Sequence, residues 1–490
     1  MQIATISRSP ALIDESEIEQ LRVSMLGRLL EPGEPDYEKA RVVFNGMFDR
    51  RPALIARCRG VADVIDAVRF ARRHDLLTAV RAGGHSVAGN STCDDGLVID
   101  VSQMSSVTVD RNRRIARVQG GATWGNVDRE TQAFGLATPG GIVSHTGVAG
   151  LTLNGGIGWL RNRYGLTCDN LVSAEVVTAN GDVLTASANE NADLFWGLRG
   201  GGGNFGIVTS FEFALHPVGP LVATVFSMYP MAATRDILKR WREWIASAPD
   251  EASTEIVTWT APAAATLPPA VHDQAVVIAA GVSAGDAQEG LRVLEPLRQF
   301  GKPLGEIAGA IPYRSVQSAF DASLPNTGEV LAYWKSLYLD HLTDSAIEIM
   351  ADRAENRSSR STMVFVQHLG GAVRRVRQDE TAFPTRDAAF VMNFMGDWRD
   401  PRETPQHIAW VREAWSRLAP HSTGAVYLNY VGQEERDADS LVRSAFGSNY
   451  DRLAQIKRKY DPTNLLRLNQ NIKPASADES NPPAADAAET

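Results

Sequence analysis

Glycine crowds into three short stretches of the first 217 residues, and no other feature constrains the fold of this chain as strongly. They are RAGGHSVAG at Arg81 to Gly89, TGVAGLTLNGGIG at Thr146 to Gly158, and RGGGGNFG at Arg199 to Gly206. Glycine at this density lets backbone amides approach a ligand and adopt positive φ, which makes a concave nest for phosphate oxygens. A pyrophosphate can be held there without net positive charge. The third stretch contains a formal GxGxxG, Gly201, Gly203 and Gly206. A dinucleotide fingerprint of the Rossmann type follows a strand and opens a helix, whereas this one follows the helix-like DLFWGLRG and precedes the strand-like IVTSFEF. The order argues against a nicotinamide site.

Around the glycines the hydrophobic pattern is that of a small α/β unit. ALIARC is a short apolar run, Val64, Ile65, Val68 and Ala71 recur at helical spacing, and LLTAVRA follows as a second strand. Short β-rich runs come next at LVIDVS, VTVD and IARVQG, and Asn180-Gly181 between AEVVTA and DVLTAS reads as a tight hairpin turn. Residues 1–217 are thus expected to form one α+β domain. After Pro217 and Pro220 the texture changes to longer alternating strands and amphipathic helices, which predicts an antiparallel sheet with helices on one face over 218–444. A last helix, DRLAQIKRKY, belongs to a segment at 445–474 that returns to the first domain. The remainder, 475–490, is polar, acidic and free of aromatic residues, so it is expected to stay disordered.

Composition removes several classes of function. With 49 Lys plus Arg against 58 Asp plus Glu, the net charge of -9 opposes general binding to nucleic acid or anionic lipid. No apolar run is long enough to span a bilayer, and the N-terminus lacks the basic and apolar regions of a signal peptide, so a cytoplasmic location is expected. Cys58, Cys93 and Cys168 lie far apart with no accompanying ligand spacing, which predicts neither a metal site nor a disulfide framework.

His85 sits inside the first glycine nest, and by itself it reads as a histidine hydrogen-bonded within a turn. The strings RAGGHSVAGNSTCDDGLVIDVSQM, TGVAGLTLNGGIGWLRNRYGLTCDNL, VVTANGDVLTAS, DLFWGLRGGGGNFGIVTSFEFALHPV and YDPTNLLRLNQNI, in that order, give it a further meaning. Together they resemble the berberine bridge enzyme-like FAD-linked oxidases, and the match spans nearly the whole chain. The resemblance implies a two-domain FAD-binding fold of the PCMH (vanillyl-alcohol oxidase) type, α+β, with an antiparallel-sheet substrate domain covered by helices. It also implies FAD joined through its 8α-methyl to a ring nitrogen of His85. Many members add a second bond from a cysteine whose matching position here is Val143, so a single link is expected. His145, two residues on, is read as structural or pocket-lining.

By the same resemblance, Arg81, Ala82, Gly83, Gly84, His85 and Ser86 wrap the pyrophosphate, with Gly89 closing that nest. Gly141 and Val143 precede Thr146, Gly147, Gly150, Leu151, Asn154, Gly155, Gly156 and Gly158, which run under the isoalloxazine and phosphates. Ile207 and Val208 meet the adenine end, and Asn469 and Asn471 return to the ring system. Asn154 departs from the family pattern, since many relatives carry glycine there.

Hydride loss from an alcohol carbon needs a base for the hydroxyl proton. The segment AVYLNYV, Ala425 to Val431, resembles the Tyr-x-Asn-Tyr segment of sugar- and alcohol-oxidising relatives and nominates Tyr430, with Tyr427 second. Read as a strand, it puts the two tyrosines on opposite faces. HLGGAVRRV at His368 to Val376 and AFPTRDAAFVMNFMGDW at Ala382 to Trp398 are expected to roof the pocket; His368 is either a substrate contact or, preferably, a histidine stacked in the sheet. The leading expectation is an oxidase that takes hydride from a small organic substrate (alcohol, sugar, phenol or amine) and returns electrons to molecular oxygen. Its alternatives are a dehydrogenase of the same fold with another acceptor, a flavin-free binding protein, and the nicotinamide reductase already disfavoured.

Overall fold

The computed structural model describes residues 1–433 and 438–476. Of the tail expected to be disordered, all but Ala475 and Ser476 lies outside the described residues. The apolar run and helical repeat noted above become the strand Leu54–Arg57, the helix Val61–Arg73 and the strand Thr78–Arg81. Leu54–Arg57 and Thr78–Arg81 both pair in parallel with Leu97–Asp100, and Arg28–Leu30 adds an antiparallel edge. A second sheet is fully antiparallel, in the order Val183–Ser187, Leu171–Val177, Ile207–Ala214, Ile115–Gln119 and Val107–Asp110. Its first hairpin turns at Asn180-Gly181, where Gly181 takes φ +80°.

The third sheet is the largest of those among the described residues. Its seven antiparallel strands run Gly305–Pro312, Leu221–Pro230, Ala275–Ser283, Ala252–Thr260, Met363–His368, Phe390–Trp398 and Leu331–Leu339. Side chains alternate between faces with the pleat. Val364, Val366, Met392 and Phe394 point to a core shared with the helices Thr234–Ile245, Asp344–Glu355 and Thr404–Leu418. Met363, Phe365, Trp334 and Met395 point the other way, toward the glycine segments. Helices therefore cover one face of this sheet, and the opposite face is free to shape a cavity.

Two buried polar staples hold these parts in register. Asn45 donates from Nδ2 to the carbonyls of Val87 and Ala332, each at 2.7 Å, and accepts from the Ala332 amide at 2.9 Å, so it links the first nest to the seven-stranded sheet. Lys457, on the helix Tyr450–Tyr460, donates to the Asn204 and Leu466 carbonyls at 2.8 and 3.0 Å and to Asp461 Oδ2 at 2.6 Å. This ties the C-terminal segment to the third glycine stretch.

Candidate active site

A cavity of about 300 Å³ lies where the glycine segments, the C-terminal segment and the free face of the large sheet meet. Its wall is built from backbone that only glycine permits. The first two glycine segments cross at Gly83 and Gly147, where a Cβ on Gly83 would stand 2.5 Å from the Gly147 amide nitrogen and one on Gly147 would stand 2.6 Å from that of Gly83. At Gly150 and Gly203, by contrast, a Cβ would meet nothing within 4 Å and would project into open space. The wall is close-packed behind and smooth in front.

Of the residues singled out by sequence, Ala82, Gly83, Gly84, His85, Ser86, Gly141, Val143, Thr146, Gly147, Gly150, Leu151, Asn154, Ile207, Val208, Asn469, Tyr427 and Tyr430 border the cavity. Six others stand behind it. Arg81 turns its guanidinium onto the Ala40 carbonyl, and Gly89, at φ +68°, closes its turn against the Phe48 ring. Gly155 abuts Phe383, Gly156 abuts Thr167, and Gly158 abuts the Gly140 carbonyl. Asn471 is also off the wall, and its neighbour Gln470 takes the place beside Asn469. These residues shape the cradle from outside, which spacing alone cannot separate from contact.

The cradle suits a dinucleotide with a pyrophosphate. No charged side chain borders the cavity among the described residues, so an anion there is met by backbone N–H groups and small polar side chains. Ser91 Oγ, Asn154 Oδ1 and Asn469 Oδ1 belong to cavity-lining residues, and each is buried without a hydrogen-bond partner. Unpaired polar atoms of this kind are costly unless a bound group satisfies them.

The tyrosine segment departs from expectation. It is not a strand; Leu428–Tyr430 is a 3₁₀ turn, closed by Tyr430 N donating to the Tyr427 carbonyl at 2.9 Å. Side chains three apart eclipse in such a turn, so Tyr427 and Tyr430 share a face with ring centroids 4.8 Å apart and planes at 85°. The segment approaches the edge strand Leu331–Leu339 as a strand would. There the Ser336 hydroxyl stands in for the backbone ladder, accepting from Tyr427 N at 2.9 Å and donating to its carbonyl at 3.1 Å.

Hydrogen-bond polarity separates the two phenols. Tyr427 oxygen accepts from Gly156 N at 3.2 Å and from Asn429 Nδ2 at 2.8 Å. Tyr430 instead donates to Gln367 Oε1 at 3.0 Å, and Gln367 Nε2 donates to Glu255 Oε2 at 2.9 Å. Arg161, fully enclosed, lies 3.6 Å from the same carboxylate oxygen. Burial pushes Glu255 up to about 7 against the pull of Arg161, and burial also raises Tyr430 well above the ordinary phenol value. Tyr430 is thus a neutral donor here, not a phenolate. Sequence reading missed this chain, although a carboxylate in the middle of the strand ASTEIVTWT was a usable signal.

His368 does not reach the cavity. It ends its strand with Nδ1 3.3 Å from Asn162 Nδ2 and its ring beside Phe390, so it is a sheet residue. Nor does the His368 to Val376 segment roof the pocket; the roof comes from Phe365 on the strand before it and from Met395, with Trp334 and Leu324 beside them. Cys58, Cys93 and Cys168 are buried free thiols. No cluster of candidate metal ligands occurs among the described residues, nor any helix long and apolar enough to cross a membrane.

The chain is similar to known proteins over most of its length. The family model "FAD binding domain" matches residues 52–187, and "Berberine and berberine like" matches residues 426–473. An uncharacterized FAD-linked oxidoreductase of Bacillus subtilis is 31% identical over 92% of this chain and 98% of its own length. The carbohydrate oxidase of Microdochium nivale is 27% identical over 90% of this chain and 92% of its own. Among solved structures, 6-hydroxy-D-nicotine oxidase from Arthrobacter nicotinovorans superposes with a TM-score of 0.79 at 28% identity, covering 92% of this chain and 99% of that one.

Proposed function

The chain belongs to the berberine-like FAD-linked oxidoreductases, and from that premise we propose that it carries FAD covalently on His85 and oxidises a small neutral substrate with dioxygen as acceptor. The observation that carries this reading is His85 itself, in the first glycine nest, on the same cavity as Tyr430. When bound, FAD supplies the two-electron acceptor for a hydride. Gly83, Gly84, Ser86, Thr146 and Gly147 would hold its phosphates and ring, and Asn469 would close over it from the C-terminal segment. A tether at His85 prevents dissociation.

The protein's own task is to position the substrate and manage one proton. Tyr430 presents its oxygen lone pairs to the cavity while its proton is held by Gln367, so a substrate hydroxyl docks as donor to Tyr430. As the C–H bond breaks, the hydroxyl proton enters at Tyr430, the Tyr430 proton passes to Gln367 Oε1 and a Gln367 Nε2 proton passes to Glu255, which leaves Gln367 as its imidic-acid tautomer until the shift reverses after the product leaves. Arg161 stabilises the carboxylate that receives the proton. Tyr427, held by Gly156 and Asn429, orients Tyr430 by edge-to-face contact.

Trp334, Phe365, Met395 and Leu324 make the rest of the substrate wall apolar and largely aromatic. Burying a charged or many-hydroxyl substrate against such a wall leaves polar groups unpaired. An aromatic or aliphatic alcohol or a phenol therefore fits better than a sugar or a cationic amine. The names of two relatives, a carbohydrate oxidase and a nicotine oxidase, support oxygen as the acceptor class.

Intact mass of the purified chain tests the tether: the wild type is expected to exceed its polypeptide mass by one FAD, and His85→Ala to match the bare polypeptide. A wild-type mass without flavin after growth with ample riboflavin would remove the covalent reading. Peroxide formation, measured beside reduction of a dye under anaerobic conditions, separates an oxidase from a dehydrogenase.

A further inference from the structure

His85 is held between two other rings. Phe44 lies against it with centroids 4.4 Å apart and planes 16° from parallel. His145, from the loop before the second glycine segment, lies against it at 4.9 Å and 29°. The two imidazoles share a hydrogen bond, His85 Nε2 to His145 Nδ1, at 2.8 Å. Burial and the neighbouring His145 push His85 down to about 3, so its ring is neutral at physiological pH. A neutral imidazole has one N–H and one lone pair, and the partner of the first decides where the second lies.

The contact is built from both sides. Ser144, next to His145 in the chain, donates from its amide to Asp321 Oδ1 at 2.8 Å and from its hydroxyl to Oδ2 at 2.5 Å. Gly125 N fixes the Ser144 carbonyl at 2.6 Å. The loop that carries His145 is therefore pinned to the substrate-side segment and to the first domain at once. Among the described residues His85 Nδ1 has no hydrogen-bond partner, and His145 Nε2 is enclosed without one. With His85 donating from Nε2, the lone pair lies on Nδ1.

We propose that His145 is the positioning residue for flavin attachment: it accepts the Nε2 proton of His85, leaves the Nδ1 lone pair ready to bond the 8α-carbon of FAD, and removes that proton as the bond forms. This rests on the reading that His85 carries the flavin. The C–N bond forms between His85 Nδ1 and the 8α-carbon, while one C–H bond at that carbon and the N–H bond at Nε2 break. The electron pair of the C–H bond remains in the flavin ring system and passes to dioxygen. With the two released protons it gives one hydrogen peroxide per attachment, and both ring systems end neutral.

The test follows attachment, not turnover. Full-length chain from riboflavin-limited cells is mixed with FAD, and the covalent fraction is read over time by intact mass and by fluorescence that survives acid denaturation; total bound FAD is read by absorbance. His145→Leu keeps bulk and removes the acceptor; it is expected to bind FAD and attach it on the order of 100-fold more slowly than wild type, the scale of a lost proton acceptor. His145→Asn places an amide oxygen near the Nδ1 position, which orients the His85 tautomer without accepting its proton, and is expected to attach at an intermediate rate. Added imidazole should accelerate attachment in His145→Ala.

Attachment by His145→Leu at the wild-type rate would overturn the proposal while leaving the His85 link intact. If His145→Leu fails to bind FAD, His145→Asn decides: binding with slowed attachment supports the proposal, and binding with wild-type attachment overturns it. Absence of attachment in the wild type itself is the separate result that removes the His85 reading.

Discussion

Tyr430, Gln367 and Glu255 form a hydrogen-bonded chain that runs from the cavity wall to an enclosed carboxyl, and its directionality decides what each residue does. Gln367 offers its amide hydrogens to Glu255, so only its oxygen remains for Tyr430. Tyr430→Phe removes the entry point and should lower the anaerobic rate of flavin reduction by about 100-fold or more with the yellow colour retained. Gln367→Leu cuts the chain behind Tyr430 and should slow reduction as well. Glu255 accepts a proton only when ionised, and burial raises it to about 7. Wild-type reduction should therefore accelerate as pH rises through about 7, and Gln367→Leu should lose that rise; a flat wild-type profile would exclude Glu255. At this scale motif order singled out His85 and the two tyrosines, and all three border one cavity. Glu255 and Gln367 were not legible as partners, because they lie 112 residues apart and meet only through strand register.

Local periodicity foretold the strand Leu54–Arg57, the helix Val61–Arg73 and the strand Thr78–Arg81 because the hydrophobic repeat and the turn residues agree there. It failed at Ala425 to Val431. The segment has strand composition, but the Ser336 hydroxyl replaces the ladder bond and the chain closes a 3₁₀ turn. A contact from a distant strand overrode local preference. The C-terminal helix carries an element-scale prediction. Lys457 and Asp461 are both fully enclosed, and the carboxylate also accepts from the amides of Leu465 and Leu466 at 2.8 and 2.9 Å. Leu466 and Leu468 border the cavity. Lys457→Met leaves that carboxylate without its cation, and it should destabilise the flavin-loaded protein by about 3–5 kcal/mol in urea unfolding. A loss below about 1 kcal/mol would show that water or rearrangement compensates the charge.

Across the whole molecule, enclosed carboxyls make stability depend on pH. Asp397, fully buried, accepts from Trp334 Nε1 at 2.7 Å and is pushed up to about 7 by burial. The folded chain thus keeps a proton that the unfolded chain gives up near pH 4, so the associated stability is intact below that and is lost as pH rises through about 7. Asp397→Asn keeps the acceptor and removes the ionisation. Compared with wild type in urea unfolding, it should be within about 1 kcal/mol at pH 4, more stable by about 2 kcal/mol at pH 5.5 and more stable by about 4 kcal/mol at pH 8.5; a difference that stays constant over this range would refute the assignment. What the sequence by itself determined was the order of glycine nests, the place of His85 within the first of them and the alternation of the large sheet, since backbone freedom and side-chain period are local properties. Only the tertiary structure decided which glycines face the cavity and which brace it, that the two tyrosines share a face, and that His145 meets His85. Each of those depends on where two segments cross, and crossing is set by the packing of the sheets against one another.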